Sequence, residues 1–352
     1  MKLYERYIIK NYLKNFFIIF IALDFFYVGV DLLTNYTSLP DSANLQILYA
    51  LFQAMNAINY VFPLSIVFGM IVTNFAMIKS NELVCMYASG ISKRALVRPF
   101  FFISFLLTLI YIGLNCTDFA YANEYSSNLK KFSRISSNSE DLFLKNNNQY
   151  IHFKKLDPLK KVAYDITIFE VDNVDLKKII RASSGYFVEN HWVLEDVTIT
   201  HKPTVNALND EGLSIQKMSQ FSTMDNFKPR IMDNVYQSEY PLSISDGIDA
   251  LSFFELQGVN TSKIKATLFY QLFFPFFAPF LIVILYYKSP LMSRYFNTAL
   301  VSSSFAFATL IVWSALFLLS RLSANGVLLS EIGILLPIVM LCLSSAHFYY
   351  KR

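Results

Sequence analysis

Cysteine is scarce in this chain: Cys85, Cys116 and Cys342 are the only three in 352 residues. They fall in a short loop or within apolar runs, so the disulfide framework that staples small secreted domains is excluded. Histidine numbers four, and no His-x-x-x-His or Cys-x-x-Cys spacing occurs, which removes the usual metal-site patterns. No G-x-x-x-x-G-K-S/T loop is present, so any nucleotide chemistry belongs to another chain. No serine is framed by the glycines of a nucleophile elbow. Charged residues make up only 16% of the chain, well below a soluble domain. An enzyme active site is not supported.

What is abundant is apolar surface. Hydrophobic residues reach 54%, with 34 Phe and 22 Tyr, and the mean hydropathy is +0.39. A hydrocarbon core about 30 Å thick needs roughly 20 apolar residues per spanning helix. Six stretches come close: Tyr12–Leu33, Ile58–Ile78, Pro99–Asn115, Lys265–Tyr287, Thr298–Leu319 and Ile332–Tyr349. The expected architecture is helical spans one to three (1–118), an extramembrane all-β domain (119–263) and spans four to six (264–352). Pro63, Pro275, Pro279 and Pro337 are expected to bend their helices, as a bundle tolerates. The first apolar run is too long for a signal peptide and lacks a cleavage site, so it reads as a retained anchor.

Basic residues orient the spans. Lys2, Arg6, Lys10 and Lys14 precede the first; Lys79, Lys93, Arg94 and Arg98 lie between the second and third; Lys288 and Arg294 lie between the fourth and fifth; Lys351 and Arg352 close the chain. The connection from Asp31 to Tyr60 has neither Lys nor Arg, and the last outer loop has only Arg321. The positive-inside rule then predicts both termini in the cytoplasm and the β-domain outside. Asp24, within the first span, is by default a functional candidate; the simpler reading is a neutral or hydrogen-bonded carboxyl facing a neighbouring helix.

Within the insert, Tyr121–Arg134 reads as a polar continuation of the third helix, ending in Lys130, Lys131 and Arg134. From Gln149 the pattern is strand-like: Tyr164-Asp165-Ile166-Thr167-Ile168 alternates, and Trp192–Thr200 is rich in β-branched residues. Turn signals at Asp157-Pro158, Asp172-Asn173 and Glu189-Asn190 separate the segments. This spacing predicts a sandwich or jelly roll, with helix returning over Leu242–Leu256. His152, His191 and His201 read as surface residues in separate strands. The loop Ser80–Ser92 predicts a short amphipathic helix with Ser80 as N-cap, an apolar face of Leu83, Met86 and Tyr87, and Gly90 as the stop. Such a helix either docks a soluble protein or lies among headgroups.

Three features together resemble the LptF/LptG lipopolysaccharide-export permeases, the membrane subunits of an ABC transporter. Asn81-Glu82-Leu83-Val84 followed by Ala88-Ser89-Gly90-Ile91-Ser92 is similar to the family's coupling helix. Asp157-Pro158, Tyr164 to Glu170, Arg181-Ala182 and Trp192 to Val197 are similar to its periplasmic β-jelly roll. The six-span layout covers the whole chain. Val30-Asp31 and Glu82-Leu83-Val84 look most like the LptG subunit, with LptF as the alternative. One departure is visible: Thr34 and Asn35 stand where LptG-like chains tend to carry basic residues.

The resemblance implies a lipid extractor in the inner membrane. Glu82, Leu83, Met86, Tyr87 and Gly90 would meet the ATPase subunit LptB, present in two copies; ATP and magnesium would sit on that partner, and no cofactor on this chain. Lipopolysaccharide would enter between the first span of one permease and the fifth span of its sibling. It would meet Asp31 and a charge from Arg321, Lys130, Lys131 or Lys263, then inward sheet positions such as Ile166 and Val197. LptC and the bridge protein LptA would receive it, and nucleic acid is not an expected partner. A membrane receptor is the main rival of another class, but the inner segments are short loops without an output domain. A lipid-modifying enzyme lacks an acid–base or metal constellation.

Overall fold

The computed structural model describes residues 2–133, 135, 139–146, 148–172, 175–203, 212–224, 227–231, 242–256, 261–291 and 296–351. Arg134, Asn173, Arg294 and Arg352 lie outside the described residues. The chain divides into two compact units. One comprises Met1–Asn123, Ser243–Leu251 and Asn260–Arg352, the other Glu124–Leu242 and Ser252–Val259.

Among the described residues, the first unit contains six helices long and apolar enough to cross a membrane: Leu3–Thr34, Ala43–Lys79, Lys93–Asn115, Ser262–Lys288, Thr298–Ala324 and Glu331–Lys351. The second, 37 residues long, absorbs the moderately apolar stretch before it and at 1.5 Å per residue exceeds the hydrocarbon core by about 25 Å. Ser92 caps the third span by accepting the Ala95 N–H, and Asn297 caps the fifth by accepting from Ala299 and Leu300. Pro275 interrupts the fourth with a tight turn over Phe274–Phe276, while Pro63 sits inside the unbroken second.

Buried polar side chains in the spans are mostly satisfied locally. Ser65, Thr73, Thr108 and Thr309 return their hydroxyls to carbonyls four residues back. A few cross between helices: Tyr12 donates to the Ile66 carbonyl at 2.9 Å, Asn15 to Thr73 at 2.9 Å, and Asn74 to Ser289 at 2.7 Å. The first two spans meet backbone to backbone at Gly69, where a Cβ would stand 3.0 Å from the Phe16 Cα.

The third helix ends at Asn115 rather than continuing into the insert. Thr117 then caps a tight turn over Asp118–Tyr121, and a separate helix runs over Ala122–Phe132. Tyr121 donates to Asp246 Oδ2 at 2.5 Å; burial, reinforced by that carboxylate, raises its pKa. Helix does return near Leu242, over Ile244–Leu256.

The second unit is built on one antiparallel sheet of six strands paired in chain order. The strands are β1 Ser139–Asn146, β2 Gln149–Asp157, β3 Val162–Asp172, β4 Asp175–Val188, β5 His191–His201 and β6 Ser214–Thr223. β1 precedes the expected start of strand at Gln149. His191 and His201 occupy the two ends of a single strand, β5, and only His152, in β2, stands apart. Glu189 and Asn190, both at positive φ, make the β4–β5 turn.

A row of backbone irregularities crosses this sheet. Asp141, Asp165 and Asp196, on β1, β3 and β5, have φ of 53°, 51° and 51°. At that row each of the first five strands turns two successive residues outward. Buried positions run 151, 153, 156 on β2; 163, 166, 168 on β3; 180, 182, 185 on β4; and 192, 194, 197, 199 on β5. Register is unchanged across it, since both partners of every pair carry the same extra step. A left-handed residue bends its strand, so aligned bends crease the sheet while the same face stays inward on both sides. Lys154 meets Asp165 at 3.3 Å and Ser183 donates to Asp196 at 3.1 Å along the crease.

The inward face forms a core around Trp192, whose Nε1 donates to the Phe227 carbonyl at 2.7 Å and whose ring lies 5.3 Å from Phe153. Gly185 leaves room there for the terminal methyls of Ile166 and Leu194, which would lie 2.7 Å and 2.8 Å from a Cβ and would have to shift. Left-handed backbone costs a residue with a Cβ about 1–2 kcal/mol, with Asp and Gly the tolerant types. Asp196→Val is therefore expected to destabilise the sheet by about that amount and Asp196→Gly by less; limited proteolysis of the β-domain in the full chain measures the difference.

Candidate functional site

The loop between the second and third spans folds as a helix over Glu82–Ala88. Ser80 does not cap it: Ser80 closes the second span, and Asn81, at φ 62°, occupies the cap position. Gly90 is the stop. At φ 80° it lets its own N–H reach the Tyr87 carbonyl and the Ile91 N–H reach that of Met86, the two bonds of a Schellman motif. Two left-handed residues thus frame a seven-residue rigid segment.

The apolar face of this helix is turned into its own bundle. Leu83 is 2% exposed and belongs to the membrane core, and Met86, Tyr87 and Ile91 pack against that core. Leu83 is therefore covered by its own bundle. Cys85, Ala88 and Ser89 are the exposed positions, with Glu82 and Val84 half-buried. Helical spacing marks an apolar face but does not say which body covers it.

Two side-chain hydrogen bonds tie the helix to spans that are distant in sequence. Tyr7, in the first span, donates to Glu82 Oε2 at 3.0 Å. The Tyr87 and Tyr286 hydroxyls lie 3.2 Å apart, reaching the fourth span. Burial raises the Tyr87 pKa, with the Tyr286 bond acting in the opposite direction. Around this helix the basic residues are also engaged. Lys93 donates to the Tyr287 carbonyl, Arg94 to that of Tyr350 and Arg98 to the Tyr349 hydroxyl, while Lys288 lies 5.9 Å from the Phe348 ring centre. Spans three, four and six are joined here by cations over aromatic rings and carbonyls.

The other expected residues are dispersed. Asp31 is held at both oxygens: Tyr49 donates at 2.6 Å to Oδ2 and Asn35 at 3.0 Å to Oδ1. It fastens the C-terminal end of the first span to the second. Arg321 is exposed, with its guanidinium 5.0 Å from the Phe317 ring centre. That ring meets Tyr60, Tyr270 and Trp313, from spans two, four and five. Lys263 is exposed at the start of the fourth span; Lys130 and Lys131 belong to the other unit, on the helix Ala122–Phe132. Ile166 and Val197 do point inward, but each is 1% exposed in a closed core. Asp24 is half-buried and, among the described residues, its Oδ1 has no hydrogen-bond partner. No group of metal-ligating side chains assembles among the described residues.

Tyr7, Tyr49 and Tyr286 are the residues the sequence reading missed. Each pairs across 18 to 199 positions, and in a chain with 22 Tyr nothing local sets these three apart. A hydrogen bond to a charged group contributes about 1.5–3 kcal/mol. Tyr49→Phe and Asp31→Ala are each expected to lower stability by up to about that amount, and the double variant by no more than the worse single; thermal unfolding of the detergent-solubilised protein reads this out.

Among curated proteins, none matches this sequence. A family model described as the lipopolysaccharide export system permease LptF/LptG matches residues 6–351. With six spans, an antiparallel β-domain and a match over nearly the entire length, the chain belongs to the LptF/LptG family of lipopolysaccharide-export permeases.

Proposed function

We propose that this chain is the LptG-type subunit of the export complex, multi-pass in the inner membrane with both termini cytoplasmic and the β-domain periplasmic. Its partners on this reading are the sibling permease LptF, two copies of the ATPase LptB, LptC and the bridge protein LptA. ATP and magnesium are held by the ATPase. The orientation is supported by the basic residues gathered beside the Glu82–Ala88 helix, where Lys93, Arg94, Arg98 and Lys288 find their partners. The LptG assignment is supported by Val30-Asp31 and Glu82-Leu83-Val84.

The observation that carries the reading is the Glu82–Ala88 helix itself. It is stiffly framed, buried on one face, and open on the other with a carboxylate at its start. Docking there is predicted to be polar at Glu82 and small-residue at Cys85, Ala88 and Ser89. Glu82→Lys is expected to abolish co-purification of the ATPase subunit and Glu82→Gln to weaken it; full recovery with Glu82→Lys would remove the docking role.

For the cargo, each acyl CH₂ left in water costs about 0.8 kcal/mol, so a many-chained lipid needs a sheltered route. Ile166 and Val197 are covered by their own core, whereas on β6 the inward-facing Met218, opposite Val197, is 41% exposed. A jelly roll receiving lipid in this subunit would therefore load at the β6 edge. A photo-crosslinking residue at Met218 is expected to capture lipopolysaccharide during ATP turnover, and one at the outward Lys217 is not; equal labelling would place the lipid elsewhere.

A further inference from the structure

Tyr7 stands at the cytoplasmic end of the first span, 75 positions from Glu82, yet its hydroxyl is the side-chain donor bound to that carboxylate at 3.0 Å. The span it belongs to is packed unevenly. Ile8, Tyr12 and Phe16 are fully buried in the inner half, and Phe16 is crossed at its backbone by Gly69. Beyond Phe16 the exposed side chains include Phe17, Ile18, Phe25, Phe26 and Leu33. The outer end is held by the Asp31–Tyr49 bond.

These observations describe a rod fastened at three levels, Tyr7–Glu82, Phe16–Gly69 and Asp31–Tyr49. At 1.5 Å per residue the hydroxyl-bearing Tyr7 lies about 13 Å inward of the Phe16–Gly69 crossing, and Asp31 about 22 Å outward of it. A helix is stiff over that length, because its peptide groups are bonded within it. Displacing Glu82 by a small step therefore shifts the first span as one rod and loads its fastenings to the second span at Phe16–Gly69 and Asp31–Tyr49. The sequence neighbours of the short helix are the second and third spans, so this route to the first is not given by connectivity.

We infer that Tyr7 is a positioning residue that makes the first span follow the Glu82–Ala88 helix, so that docking or movement of a partner at Glu82 is conveyed to the outer half of that span. The inference rests on the proposed function, in which an ATP-hydrolysing subunit sits on this helix. Tyr7 donates to Glu82 from the protein's own side, leaving the other carboxylate oxygen for a cation of the partner.

The test uses the full complex, purified with its ATPase and sibling subunits and reconstituted in vesicles containing lipopolysaccharide. Lipid released per ATP hydrolysed is compared for wild type, Tyr7→Phe, Glu82→Gln and the double variant. Tyr7→Phe is expected to retain the ATPase subunit at wild-type level yet lower release per ATP by about fivefold, the size of one exposed hydrogen bond. The double variant should be no worse than Glu82→Gln alone. Tyr12→Phe, which removes the bond to the Ile66 carbonyl from the same span, is the control for a purely structural effect and should add to Glu82→Gln in full. An unchanged ratio for Tyr7→Phe, or full additivity with Glu82→Gln, overturns the inference while leaving the proposed function standing. A wild-type chain that retains no ATPase subunit overturns both.

Discussion

A peptide group without a hydrogen-bond partner costs several kcal/mol in hydrocarbon, and this constraint shapes the whole membrane unit. It makes each of the six spans a rod whose backbone is closed on itself. Irregular backbone is then tolerated only under cover of neighbouring helices. The tight turn at Phe274–Phe276 has Phe274 and Pro275 buried, and the wide turn over Glu331–Leu335 has Gly333 and Ile334 buried. Ser320 and Ser323 return their hydroxyls to carbonyls of their own helix. Rods of this kind do not bend to transmit a signal. They shift or tilt at their contacts, so the side-chain bonds at their ends decide what moves with what.

The sheet of the β-domain meets a different demand, since water satisfies its exposed backbone and its difficulty is closing a core. A flat six-stranded meander has two faces and buries at most one. The aligned Asp141, Asp165 and Asp196 resolve this by creasing the sheet without shifting register. Alternation in Tyr164–Ile168 was enough to read β3 as a strand, but the crease breaks that alternation at Asp165. Period-two reading therefore gives the element and misses its bend, because an outward Asp looks the same in sequence whether its φ is negative or positive. β1 escaped for a related reason: it buries only Leu142 and Leu144 beyond the crease, with charged residues before and after.

The spans were legible because hydrocarbon imposes length and composition on every one of them, and all six expected stretches fall inside observed helices. The end of the third span at Asn115 was legible too, but not the turn after it: Tyr121–Arg134 reads as a continuation of that helix, and a cap such as Thr117 leaves no mark in composition. The short helix and its glycine stop were legible at Glu82–Ala88 and Gly90, while its N-cap is Asn81 rather than Ser80. Its apolar face was legible as a face, but not the body that covers it. Leu83 packs into its own bundle, and only three-dimensional contact distinguishes an internal face from a docking one. Asp31 illustrates the same limit: a carboxylate at a span end suggests a ligand, whereas here both oxygens are held by Tyr49 and Asn35.

The choice of donors on these carboxylates carries a final consequence. Glu82 is met by a phenol, and Asp31 by a phenol and an amide. Neutral donors fix the position of a carboxylate while leaving its charge in place, whereas a cation would cancel it. Glu331, which meets Lys265 at 2.8 Å, shows the other arrangement, and there the pair fastens spans four and six and leaves no net charge. Holding Glu82 through Tyr7 thus leaves its carboxylate without a cation partner from Tyr7, located to within a hydrogen bond at the start of the short helix. On the proposed reading, a cation of the partner would find the carboxylate already oriented and already attached to the first span, so that binding and mechanical engagement would become the same event.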